Sequence, residues 1–82
     1  MLKFPSSFPV KVMGRNTPDF ELLVFDLVRQ HAPELTDDAL HRRPSRDGNY
    51  LSVTVTVLAQ SREQLDAIYQ TLSAHDQVLM VL

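Results

Sequence analysis

The side chains best equipped for chemistry in this sequence are three histidines, a group of arginines beside an Asp-Gly turn, and a pair of adjacent aspartates. His31, His41 and His75 would hold a metal ion only by converging, and none of them share the i, i+4 spacing that stacks imidazoles on one helix face. Each falls near the end or edge of an element. His31 and His75 fall where helices close, a place that favours a partly positive imidazole. Structural roles and no metal are expected. Arg42, Arg43 and Arg46 lie around Ser45 and lead into Asp47-Gly48-Asn49-Tyr50. Guanidinium groups beside a tight turn can hold a carboxylate or phosphate through two bonds at once. Arg42, Arg43, Arg46, Gly48, Asn49 and Tyr50 are therefore a candidate ligand-binding set. The competing account has Asp47-Gly48 making the turn, the arginines keeping an edge strand soluble, and Tyr50 packing at the sheet end. Asp37 and Asp38 adjoin, but a catalytic carboxylate pair needs burial to separate its pKa values, and the surrounding loop residues promise none. No nucleophile–base pair stands out. No cysteine is present, which excludes disulfides, thiolate catalysis and Cys-based metal centres. Neither an enzyme nor a bound cofactor is expected.

The elements that position these residues follow from periodicity. Phe8, Val10 and Val12 alternate with Pro9, Lys11 and Met13, predicting a strand over 8–13 closed by Gly14. Asn16-Thr17-Pro18-Asp19 is a helix start, with Thr17 as the cap and Pro18 in the first turn. Phe20, Leu23, Val24, Leu27, Val28 and His31 then form one stripe at helical spacing, and Pro33 ends it. Residues 35–44 carry the weakest pattern; Asp37, Asp38 and Pro44 place any strand there at an edge. Asp47-Gly48 is a hairpin signal in which both central residues can take positive φ. Residues 50–58 are the clearest strand, with Leu51, Val53, Val55 and Val57 on one side. Ser61 caps a second helix whose stripe is Leu65, Ile68, Tyr69 and Leu72. A last strand covers 77–82.

The order β-α-β-β-α-β, with one apolar stripe per helix, predicts an α+β ferredoxin-like sandwich: a four-stranded antiparallel sheet with two helices on one face, as a single domain over residues 1–82. The first and third strands should be central and the other two edges. The face without helices then presents Lys11, Met13, Ser52, Thr54 and Thr56. The last strand adds either Leu79 and Val81 or Val78, Met80 and Leu82. Because both its faces are apolar, something should cover the second one: the N-terminal Phe4-Pro5 segment, a second copy of the chain, or another protein. Lys11, Met13, Leu79 and Val81 are the expected interface residues.

Composition narrows the function classes. An apolar fraction of 44% is too high for a disordered chain. A formal net charge of −2 argues against a nucleic-acid binder, and the expected open face lacks the aromatic platform of an RNA-recognition module. No window approaches a membrane span and no signal-type leader is evident. A cytoplasmic protein without nucleic-acid or membrane partners is expected.

Phe4-Pro5, Phe8, Lys11-Val12-Met13-Gly14, His31-Ala32-Pro33, Ser45, Gly48-Asn49-Tyr50, Ser52-Val53 and Val78-Leu79-Met80-Val81-Leu82, arriving in this order, resemble the YbeD-like family of small uncharacterised bacterial proteins. The resemblance spans nearly the whole chain. It implies a ferredoxin-like fold similar to ACT-type regulatory domains and a cytoplasmic location. It implies no enzymatic activity and carries over no catalytic residue. The expected function is that of a non-enzymatic regulatory or adaptor domain acting by protein–protein contact or self-association through the last strand or open sheet face. The alternative is an ACT-like sensor of an anionic metabolite at the arginines.

Overall fold

The structure, a computed structural model, describes residues 3–82. Its centre is β3, Tyr50–Ala59. Strict alternation with β-branched residues on one side makes this segment a strand that can bury a single face. Leu51, Val53, Val55, Val57 and Ala59 are all buried, while the residues between them are half-buried or exposed. β1, Ser6–Arg15, pairs antiparallel with it along its full length, setting Val10 against Val55 and Val12 against Val53. β2, Leu40–Pro44, and β4, Val78–Val81, flank this pair, giving the order β2-β3-β1-β4. The antiparallel sheet and its central and edge assignments are those the sequence predicts.

β1 runs past Gly14 instead of stopping there. Gly14 lies beneath the Phe20 ring and against the Gln77 carbonyl, so an added Cβ would sit 2.6 Å from that oxygen and closer still to the ring. The missing side chain lets the strand continue to Arg15 under the first helix. That extension displaces the predicted helix start. α1 spans Phe20–Arg29, and Thr17 contributes its backbone carbonyl to the Phe20 N–H at 3.3 Å, not a side-chain cap. Residues 16–19 are used in turning off the sheet.

α2, Arg62–Ser73, begins as predicted: Ser61 Oγ accepts the Gln64 N–H at 3.1 Å, and Gln64 Oε1 accepts the Gln60 N–H at 2.7 Å. Both helices pack on the valine face of the sheet. Phe20, Val24, Leu27 and Val28 of α1 and Ile68 and Leu72 of α2 join the strand residues in one core. Two bonds tie α2 to the end of α1: Gln64 Nε2 donates to the His31 carbonyl at 2.8 Å, and His31 Nε2 meets Thr71 Oγ1 at 2.6 Å. No helix among the described residues is long and apolar enough to cross a membrane.

β4 departs from simple alternation. Val81 pairs with Val12 and Met80 with Met13, but Val78, not Leu79, pairs with Gly14. Leu79 is thus the extra residue of a bulge. Val78 and Val81 both pack against the core, and Leu79 and Met80 both remain outside, 56% and 49% exposed. Neither alternative predicted for this strand holds, because each assumed unbroken alternation.

Candidate functional site

Pleating assigns each strand residue to a face, and paired residues share it. The pairings therefore lay the helix-free face out as a grid. One row reads His41, Thr54, Lys11 and Leu82, the last joined to Lys11 by reciprocal backbone bonds of 3.2 and 2.8 Å. The next reads Arg43, Ser52, Met13 and Met80. A third sets Tyr50 beside Arg15. Met13 is half-buried, whereas Met80 and Leu82 are exposed, so apolar atoms run from the centre of the face to the β4 edge. A shallow depression of about 330 Å³ opens where Lys11, Met13, Arg43, Tyr50 and Ser52 meet.

The predicted interface residues divide. Lys11 and Met13 lie on this face and Leu79 is exposed at the bulge. Val81 instead turns to the helix side and packs against the core, because the bulge inverts its parity. Arg15, His41, Met80 and Leu82 belong to the face and were not among them. Arg15 lies beyond Gly14, where the sequence places the strand end, and joins the face because β1 runs past that glycine. Met80 and Leu82 could not be assigned without the bulge. The Phe4-Pro5 segment does not cover the β4 side. It leads into the Ser6 end of β1, whereas β4 pairs at 12–14, and Leu79 and Met80 stay exposed.

The candidate ligand-binding arginines do not converge. Arg42 pairs with Val53 on the helix side and reaches Glu21 of α1 at 3.8 Å. Arg43, its neighbour in β2, points to the open face, and Arg46 sits in the turn. Adjacent strand residues face opposite ways, so Arg42 and Arg43 cannot grip one anion. The turn itself is closed by the Gly48 N–H to the Ser45 carbonyl at 2.9 Å, and Gly48 alone takes positive φ, at +79°. Asp47 does not adopt the left-handed region; its carboxylate accepts the Asn49 N–H at 3.0 Å and the Ser45 hydroxyl at 2.7 Å. These bonds, the Asn49 amide first, hold the Asp47 carboxyl below the usual aspartate range. Asn49 donates no contact to an anion site: its carbonyl takes the Asn16 N–H at 2.9 Å. Tyr50 is 40% exposed on the open face, not packed at the sheet end.

The remaining candidates are dispersed. His31 meets Thr71 between the helices, His41 lies on the open face, and His75 Nδ1 accepts the Gln77 N–H at 3.2 Å. No group of three or more metal-ligating side chains gathers among the described residues. Asp37 and Asp38 sit in an exposed single-turn helix, where the Thr36 hydroxyl donates to Asp38. Tyr69, whose phenol is raised by burial, donates to the Leu82 carbonyl at 3.2 Å and tethers the chain beyond β4 to α2.

A family model described as "Protein of unknown function (DUF493)" matches residues 1–82. A UPF0250 protein of Ralstonia nicotianae is 49% identical over all of this chain and 84% of its own length. One from Neisseria gonorrhoeae is 46% identical over all of this chain and 90% of its own. Among solved structures, the protein HP0495 from H. pylori superposes with a TM-score of 0.79 at 18% identity, covering 100% of this chain and 86% of that one. The C-terminal domain of the MgtC protein from Mycobacterium tuberculosis gives 0.64 at 20% identity, covering 100% and 89%. At such identities the structural likeness speaks for the fold.

Proposed function

The chain belongs to the DUF493 family of proteins of unknown function, the UPF0250 or YbeD proteins that the sequence blocks resemble, and from that premise we propose that it is a non-enzymatic adaptor or regulatory domain that works by protein–protein contact through the open sheet face. One observation carries the proposal: Met13, Met80, Leu82 and Tyr50 lie on one side of the sheet with nothing among the described residues packed over them. Helices cover only the other side. Apolar surface grouped in this way and rimmed by polar residues is the usual mark of a contact site. Sensing of an anionic metabolite loses its motive, since Arg42 is engaged by Glu21 and faces away from Arg43.

The test is site-specific photocrosslinking in the native cell. A benzophenone side chain replaces Thr54, in the middle of the open face, or Asp66, exposed on α2. Protein adducts from position 54 and none from position 66, lost when Met80→Asp is added, are the expected result. Adducts at neither position, or equally at both, would overturn the proposal.

A further inference from the structure

We infer that the occupant of the open face is an acidic amphipathic helix of a partner protein; this rests on the contact proposal above and names the chemistry of the partner. The carboxylates of this chain are strictly segregated. None of its ten acidic residues lies on a strand, whereas the strands carry Lys11, Arg15, Arg42 and Arg43. Arg42 points to the helices and is met by Glu21, the one ion pair among the described residues. Lys11, Arg15 and Arg43 share the open face, are exposed, and among the described residues have no carboxylate within ion-pair distance, although Asp19 and Asp76 line one depression with Arg15. The face is thus apolar at Met13, Met80 and Leu82, with Lys11 and Arg43 beside Met13 in a depression that no acidic side chain lines.

The spacing suits a helix. Lys11 and Arg15 lie four residues apart on one strand, about 13 Å at the rise of extended chain. Two turns of a helix lying along β1 advance about 11 Å, so acids two turns apart, on flexible side chains, reach both cations while an apolar residue between them meets Met13. Arg43, two strands away in the Met13 row, stands about 10 Å to the side and can take a third carboxylate.

Other occupants fit less well. A two-fold stack of this face on a second copy would set like charges together with no strand carboxylate to offset them. A nucleic acid would lack stacking partners, since Lys11, Met13, Ser52 and Thr54 fill the central positions. A polyanion or an anionic membrane responds to the wider field, and the chain as a whole is −2. A localised acidic helix meets Lys11 and Arg43 at contact distance, where close pairs outweigh the net charge of the chain.

The probe is an 18-residue helical peptide with leucine on one face and glutamate on its flanks, compared with the same peptide carrying lysine for glutamate. Both are titrated into the isotope-labelled full chain and followed by amide shifts. The glutamate peptide should move Lys11, Met13, Arg15, Arg43, Ser52 and Met80. It should bind about tenfold more weakly when salt rises from 0.05 to 0.5 M, and lose binding to the Lys11→Glu, Arg43→Glu double variant with Arg46→Glu as an unaffected control. The exposed positions leave the core untouched, which the unchanged amide spectrum of β3 checks. Equal binding of the two peptides, shifts confined to α1 or α2, or unchanged binding by the double variant would overturn the inference. So would tighter binding of a uridine dodecamer or of phosphatidylglycerol vesicles at the same salt, or self-association through the same residues without peptide. If the glutamate peptide fails while position 54 still crosslinks a protein in cells, the contact face stands and the acidic partner falls.

Discussion

Asp47 holds the β2–β3 turn through its charged form, accepting from the Asn49 amide and the Ser45 hydroxyl. Both bonds favour the carboxylate, and its pKa is lowered accordingly. A carboxyl lowered on folding contributes stability above the ordinary aspartate range and loses it as pH falls through the folded value. The Asn49 and Ser45 amide resonances should therefore titrate with a midpoint below that of an ordinary aspartate, and the Asp47→Asn variant should show no such step. Fully exposed, the residue sets local order in the turn more than global stability. The Asp-Gly dipeptide announced this turn in the sequence. Which of its residues would take positive φ was not legible, because that depends on the loop length between Ser45 and Tyr50, which are joined by a 2.8 Å backbone bond. The split of Arg42 from Arg43 was legible in principle, since alternation alone decides it. Closeness in sequence groups these arginines, but in a strand it separates neighbouring side chains.

The second helix shows local signals and tertiary structure in agreement. Ser61 and Gln64 close its first turn, and Gln64 also reaches the His31 carbonyl. Replacing Ser61 with alanine removes one of these bonds and should cost about 1 kcal/mol, read as a lower urea midpoint with an unchanged slope. The first helix shows disagreement. Asn16-Thr17-Pro18-Asp19 is a good start signal, yet the helix begins at Phe20 because β1 extends over Gly14 and draws residues 16–19 into the turn. That contact is tertiary and carries no local mark in the sequence. Periodicity marked β1, β3 and both helices, left β2 as a conditional edge strand within residues 35–44, and could not show the β4 bulge: an apolar residue on either side of the strand leaves the pattern without a phase.

At the scale of the whole molecule, the helices and connections carry the acids and the sheet carries unpaired cations on its free side. On the proposed function, folding and contact fall to opposite faces of one sheet. The core lies entirely on the helix side, so a change there should affect stability first. Ile68, fully buried between α2 and the sheet, should cost about 2–5 kcal/mol on replacement by alanine. Against the roughly 5–15 kcal/mol typical of domains, that loss in a chain of 82 residues would leave a substantial unfolded fraction near 40 °C, visible by calorimetry. The open-face charge variants should melt near the parent. The fold class was legible because apolar periodicity fixes which faces meet. The open face was legible only in part, since its β4 rim depends on register and its β1 cations on where the strand ends.

The bulge in β4 also bears on chain length. Leu79 is the residue that β1 does not match: without it, Val78, Met80, Val81 and Leu82 would face Gly14, Met13, Val12 and Lys11 in unbroken succession. Loss of the Leu79 codon would leave every other side chain of that edge on its present side. A codon lost from the middle of β1 or β3 would turn the remainder of the strand inside out. The gene can therefore shorten at this edge, and at neither central strand, without rewriting which residues look inward.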